Sequence, residues 1–389
     1  MENLLTVIVQ TSPLPSHPST ALLEALFRSF DRVKHLKDCN IIILCDGCED
    51  EHVNDTKQIK KINYKHGSIN QEKVNDYLLH LDLLQQKIDN KEAPFISTNN
   101  GTIKLLKLPY RHGSARAIKA AFPTDTPYVL IAQHDNFFVH DVNYLKDMLK
   151  FLDEEETESW LQSIHFVSTA TLNYVQKIKR RYNIDLQMLC KRPQTSSLDG
   201  ELIPLVFWYG RTHIARTSYY KDKILCRQLK QGDHLEELWG VHQLKEILEL
   251  KKKLSIDVNN FETQFKMLHA PYGNFVFFEH GMDQKEVLYH MNGRKVRATT
   301  SSDERTGDIT SSSSTVQTSF NPHENSFTTA KSTIAVVPGL EYVDDSSKTK
   351  PSSKQKKFKQ NCFHCGEKGH SKQFCPKLEK GHNTNIQHI

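Results

Sequence analysis

The chain has no apolar run approaching the roughly eighteen residues that a membrane-spanning helix needs, which removes helical membrane insertion from the expected roles. Its opening residues, Met1-Glu-Asn-Leu-Leu-Thr-Val-Ile-Val-Gln10, lack both the basic flank and the small-residue cleavage site of a signal peptide, and their β-branched side chains read as a strand. Cysteine is sparse. Of eight, Cys39, Cys45, Cys48, Cys190 and Cys226 show no disulfide framework, so a reducing cytoplasmic or nuclear setting is expected. Cys45 and Cys48 have C-x-x-C spacing, but no second pair lies near them, and chance is the better account of it. No internal repeat is present. Acidic residues are scarce near the end, where ten lysines between Lys348 and Lys380 face only Glu367 and Glu379. The net charge of +5 is therefore concentrated there, and a localised basic segment implies a polyanionic partner.

What is present divides the 389 residues into four parts. Residues 1–298 alternate strand-like and helix-like segments, the signature of an α/β domain. Strands are expected at Leu5–Gln10, Asn40–Leu44, Thr102–Leu108, Tyr128–Ala132, Ile164–Thr169, Leu205–Tyr209 and Phe275–Phe278. Helices are expected at Ser19–Lys34 (with Ser19 as N-cap), Gln71–Ile88, Ser114–Phe122, Val142–Leu152, Asn173–Tyr182 and Glu236–Lys252. Residues 299–353 begin with a Ser/Thr-rich stretch almost free of apolar side chains. Such a stretch buries too little surface to offset its ordering entropy, so a disordered linker is expected. Ile334–Val343 adds a weak apolar patch to it. Residues 354–380 are basic and contain a metal-ligand pattern, and 381–389 form a short disordered tail.

That pattern is Cys362-Phe-His-Cys365-Gly-Glu-Lys-Gly-His370-Ser-Lys-Gln-Phe-Cys375. Three thiols and an imidazole spaced C-x2-C-x4-H-x4-C can close a tetrahedral site around one Zn²⁺. Gly366 and Gly369 let so short a loop turn back on the metal. The stretch resembles the CCHC zinc knuckles of retroviral nucleocapsids and of cellular RNA-binding proteins. The resemblance implies a structural zinc on Cys362, Cys365, His370 and Cys375 and binding of single-stranded nucleic acid, RNA before DNA. It places Phe363 where family knuckles expose an aromatic that stacks on an unpaired base. Lys356, Lys357, Lys359, Lys368 and Lys372 would pair with phosphates in a salt-sensitive way. The plainer alternatives are a metal-free tail and a solvated run of lysines.

In the larger part, three expected strands end in small or acidic residues: Thr11-Ser-Pro-Leu-Pro-Ser-His-Pro-Ser-Thr20, Asp46-Gly47 and His134-Asp135-Asn136. In open α/β sheets ligands sit beyond the carboxyl ends of the strands, where such junctions converge. Together with His112-Gly113-Ser114-Ala115-Arg116-Ala117, they resemble glycosyltransferases of the GT-A fold, especially family-two-like inverting enzymes. The resemblance implies a GT-A-like (Rossmann-like) mixed sheet and a nucleotide-sugar donor with Mn²⁺ or Mg²⁺. It implies donor contacts from Asp46, Arg116 and Asp135, and places His290 in the shell of the metal on Asp135. Glu237, with Glu236 second, would serve as acceptor base. The sequence departs from the pattern in two places: D-x-D is reduced to His-Asp-Asn, and the residue after Ala-Arg is Ala117. Each residue also has a structural reading. Asp135 could cap a turn, the glutamates could favour a helix dipole, Arg116 could form a surface ion pair, and His290 could be a core or surface histidine. The expected function is a zinc- and nucleic-acid-binding protein with a glycosyltransferase-like domain. The alternative is an inactive GT-A-like scaffold that acts only through the knuckle.

Overall fold

The computed structural model describes residues 1–48, 63–64, 67–68, 71–122, 125–154, 160–191, 198–253, 258–280, 285–291, 296–298 and 340–342. In chain order the strands are β1 (Leu5–Thr11), β2 (Asn40–Cys45), β3 (Asn63–Tyr64), β4 (Gly67–Ser68), β5 (Ile103–Lys107), β6 (Tyr128–Gln133), β7 (Asn136–Phe138), β8 (Ser163–His165), β9 (Gly200–Pro204), β10 (His213–Arg216), β11 (Asn274–Glu279), β12 (Leu288–His290), β13 (Val296–Ala298) and β14 (Leu340–Tyr342). The helices are α1 (Ala21–Ser29), α2 (Gln71–Asp89), α3 (Ser114–Ala121), α4 (Leu145–Glu154), α5 (Tyr174–Tyr182), α6 (Thr217–Tyr219), α7 (Val241–Lys253) and α8 (Val258–His269). No helix among the described residues is long and apolar enough to cross a membrane.

The unbroken apolar runs of β1, β2 and β6 form the middle of an eight-stranded sheet ordered β5-β2-β1-β6-β10-β8-β11-β9. Strands β5, β2, β1 and β6 are mutually parallel. β10 runs antiparallel to both β6 and β8, β11 is parallel to β8, and β9 is antiparallel to β11. Runs without polar alternation are needed because both faces are covered. Val7, Val9, Ile41, Ile43 and Leu130 pack on one face with Leu22, Leu26 and Phe27 of α1 and Tyr77 and Leu84 of α2. Ile8, Leu44, Val129 and Ile131 pack on the other with Ala115, Ile118 and Ala121 of α3 and with Tyr219, Tyr220 and Trp239. Each such buried aliphatic contributes roughly 1.5–3 kcal/mol against its exposed state. The architecture is α/β with a mixed sheet, in which Asp46 follows β2 and His134-Asp135-Asn136 follows β6.

Several expected elements shift for local reasons. The Ser19 hydroxyl accepts the Ala21 N–H at 3.2 Å, and α1 gives way at Phe30 to a 3₁₀ turn. Helix α4 starts at Leu145 rather than Val142, because the backbone of Val142 bonds to Arg32 and Lys34. The run Leu205–Tyr209 is not a strand. It is apolar because Leu205, Val206 and Trp208 are buried, but the Val206 N–H donates to the Tyr174 hydroxyl at 3.0 Å instead of to a ladder. The strand is β9, just before it. Strand β10 is hidden in sequence by its polar ends, His213 and Arg216, both buried. The expected helix at Glu236–Lys252 is split into a π-helical segment, Glu236–Gly240, followed by α7.

Within the expected linker, Leu340–Tyr342 pairs antiparallel with Val296–Ala298, Val296 facing Tyr342. Residues Asp344–Ile389 make up a second unit that lies outside the described residues. The expectations for Cys362, Phe363, Cys365, His370, Cys375 and the lysines around them therefore concern residues the structure does not describe.

Candidate functional site

The sheet register brings the three strand junctions side by side. Gln10 of β1 lies between Leu44 of β2 and Gln133 of β6, so all three strands end on one edge. The turns that follow are pinned to one another: the Asp46 N–H donates to Thr11 O and the His134 N–H to Gln10 O, each at 3.0 Å.

Asp46 is only 5% exposed, and its carboxylate is taken up by backbone. Oδ1 accepts the N–H groups of Gly47 at 3.0 Å and His112 at 2.7 Å, and Oδ2 accepts the Gly113 N–H at 2.9 Å. Burial raises its pKa above the ordinary carboxylate range, and the three amides pull it back. The side chain expected to contact a donor holds the loop before α3.

Asp135 and His290 meet. Antiparallel pairing of β7 with β12 sets His290 opposite Asn136, and the Met291 N–H donates to Asp135 O at 2.9 Å. His290 Nε2 then lies 3.2 Å from Asp135 Oδ2, and Asn136 Nδ2 donates to Asp135 Oδ1 at 2.9 Å. Arg211 reaches Asn136 Oδ1 at 3.4 Å. Burial alone would raise the Asp135 pKa. The His290 hydrogen bond and the positive charge of His134, His290 and Arg211 outweigh it, and the carboxyl is held below its usual range. No group of three or more His, Cys, Asp or Glu that could hold a metal occurs among the described residues.

The acidic pair divides. Glu236 is half-buried and its Oε2 accepts the Gly210 N–H at 3.0 Å; Glu237 is exposed. Glu236 lines a cavity of about 60 Å³ together with Gln10, Ser114, Gln133, Gly210 and His234. Of the two candidate bases, the π-helical segment turns Glu236 toward the strand ends and leaves Glu237 exposed. Arg116, on α3, is half-buried with its guanidinium 6.0 Å from the Tyr110 ring centroid. Tyr110 in turn stacks on His112 at 4.3 Å. Trp208 is 1% exposed and packs in the core beside that cavity. Cys45 and Cys48 are both buried.

Sequence reasoning missed the polar pairs around the cavity. Gln10 Nε2 donates to Ser114 O at 3.1 Å, the Ser114 hydroxyl donates to Gln10 Oε1 at 3.0 Å, and Asn136 Nδ2 donates to Gln133 Oε1 at 3.0 Å. The signal was a glutamine directly after the apolar run of each of two strands. Arg211 gave no signal beyond its charge.

No family model and no curated protein matches this sequence. Solved structures overlay it in part. The S. aureus TarS structure in complex with UDP-GlcNAc gives a TM-score of 0.34 at 14% identity over 74% of this chain and 58% of that one. A longer S. aureus TarS structure gives 0.32 at 16% identity, and this chain spans 36% of it. Mouse xyloside xylosyltransferase 1 in its apo form gives 0.32 at 9% identity, over 75% of this chain and 98% of that one. At these scores the overlays assign no function to this chain.

Proposed function

We propose that the α/β domain binds a nucleotide-sugar donor across the carboxyl ends of β1, β2 and β6 and transfers its sugar to an acceptor hydroxyl. The observation that carries this reading is the meeting of Asp135 and His290 at 3.2 Å on the edge where Asp46 and Gln10 also end. A cavity of about 60 Å³ is far smaller than the roughly 300–1,000 Å³ of a typical ligand pocket. The donor would therefore lie in the open groove above the strand ends, with one hydroxyl-bearing corner directed at Gln10, Gln133 and Glu236. Glu236, held by the Gly210 N–H and facing the cavity, would accept the acceptor's proton.

Asp135 and His290 fit a divalent cation in part. The carboxyl is held ionised and an imidazole nitrogen is beside it, but two side chains leave most of an octahedral shell to phosphate oxygens and water. A Mn²⁺ or Mg²⁺ held there would neutralise charge on the leaving diphosphate. Arg211 supplies positive charge at the same place, so phosphate affinity would not depend on the ion alone.

The test is release of nucleoside diphosphate from a panel of nucleotide sugars, with and without Mn²⁺. Glu236→Gln should lower turnover about 10²–10⁴-fold, the usual range for a lost general base. Glu237→Gln should leave turnover within about twofold. An inactive panel that leaves nucleic-acid binding intact would support the scaffold reading instead.

The basic tail carries a separate proposal. Cys362, Cys365, His370 and Cys375 have the spacing for one structural zinc, and Phe363 with the neighbouring lysines has the chemistry to hold a single strand of RNA. Joined to the transferase domain, it would concentrate the enzyme on a ribonucleic acid or ribonucleoprotein acceptor. Truncation at residue 300 should then lower turnover on such an acceptor and leave donor hydrolysis unchanged; unchanged acceptor turnover would contradict the coupling.

A further inference from the structure

Two loops far apart in the chain meet backbone to backbone between the strand ends and the π-helical segment. One is the 110–115 loop that opens α3, and the other is the 230–233 loop that leads into Glu236. The Gly232 N–H donates to His112 O at 3.2 Å, and the Ala115 N–H donates to Asp233 O at 3.1 Å. Gln231 Nε2 adds a bond to Arg111 O at 2.7 Å. Gly113 has φ +78°, and a Cβ built on it would stand 2.6 Å from the Gly232 Cα, so the loops approach as closely as the absence of a side chain at Gly113 permits. On its other side the first loop is held by the Asp46 carboxylate, through the N–H groups of His112 and Gly113. Asp46 is itself fixed by Thr11 O and by the Tyr77 hydroxyl, which donates to Asp46 O at 2.7 Å.

From this we infer that Asp46 is a positioning residue for Glu236. It holds the 110–115 loop, that loop holds the 230–233 loop, and the second loop sets where the π-helical segment begins and hence where Glu236 meets Gly210. The strand-end groove and the candidate base are in this way one mechanical unit, so a ligand that displaces the 110–115 loop also moves Glu236. The consequence for turnover rests on the transfer reading above. The linkage itself is a statement about loops and holds whatever the domain binds.

Hydrogen exchange on the full chain without any ligand tests it, comparing Asp46→Asn with wild type in peptides covering 110–116, 207–212 and 229–236. Asparagine keeps the shape but turns an NH₂ toward backbone donors, and losing a charged acceptor of this kind leaves buried N–H groups unsatisfied. Exchange at Gly113, at Gly232 and at Gly210, whose N–H reports the Glu236 carboxylate, should rise together by about tenfold or more. Gly113→Ala, which keeps the Asp46 side chain but pushes the loops apart, should raise Gly232 and Gly210 in the same way. It carries the test if Asp46→Asn does not fold. Faster exchange confined to 110–116, with 207–212 and 229–236 unchanged, would overturn the linkage. Because no donor or acceptor takes part, that failure is distinct from a failure of sugar transfer.

Discussion

Asp135 on the turn after β6 and His290 at the end of β12 share a hydrogen bond at 3.2 Å, brought together by a two-strand ribbon that lies apart from the main sheet. The acid closes the sheet's central strand and the histidine comes from the other end of the described domain. The ribbon, rather than the sheet, is what completes the charged edge.

That pair makes stability depend on pH in a defined direction. The Asp135 carboxyl is held below its ordinary range, so its contribution is present above about pH 4, where the unfolded carboxyl ionises, and is lost as pH falls through the folded value. Asp135→Asn should cost about 1–3 kcal/mol at pH 7 in a denaturant melt. The difference from wild type should close as pH falls below 4. A difference constant from pH 7 to pH 2 would show that the pair carries no charge in the fold.

Buried histidines set a second window. His17, His80, His165, His213 and His269 are all buried with lowered pKa, burial being the first cause in each; His80, His213 and His269 are brought to about 4. Unfolded imidazoles protonate near 6.5. The stability these groups contribute is thus full above about pH 6.5 and is lost as pH falls from there toward 4. His80→Gln should flatten the slope of melting temperature against pH across that window, by about 3 kcal/mol at most. An unchanged slope would mean that His80 titrates in the fold as it does in water.

Gly240 joins the π-helical segment to α7. A Cβ there would collide with the Trp208 carbonyl and stand 2.9 Å from the Phe207 ring. Gly240→Ala should destabilise the protein by about 1–3 kcal/mol, the usual cost of overpacking. Because Trp208 flanks the cavity, the Gly210 amide resonance should shift as well. A variant as stable as wild type would place Phe207 and Trp208 in looser packing than described.

For the tail, native mass spectrometry of never-chelated protein should show one zinc per chain, and Cys365→Ser should lose it. The apparent binding energy of such sites is about 10–16 kcal/mol. Zinc-free wild type would remove the metal and the RNA reading with it.

Much of the domain was legible because β1, β2 and β6 carry apolar runs at Val7–Val9, Ile41–Leu44 and Tyr128–Ala132 and are flanked by amphipathic helices. The site was legible only where a residue type is rare in its setting. Asp135 after an apolar strand stands out, whereas Gln10 and Gln133 do not, because a strand-ending glutamine is unremarkable until its neighbour is known. Glu236 and Glu237 could not be separated in sequence: an α-helix and a π-turn present adjacent residues differently, and nothing in Glu-Glu-Leu-Trp-Gly marks the wider turn. Leu205–Tyr209 misled for the opposite reason, since burial of a loop produces the same apolar run as a strand. Asp46 was visible as an acid at a strand end, but its bonds to His112 and Gly113 depend on a loop that only the fold brings near.

The most direct measurement is a calorimetric titration of the full chain with a panel of nucleoside diphosphates, with and without Mn²⁺, repeated on Asp135→Ala. The prediction is saturable binding of at least one nucleotide, tightened by Mn²⁺ and weakened about tenfold or more in the variant. No binding across the panel, or binding indifferent to Asp135, would contradict a donor site at the strand ends.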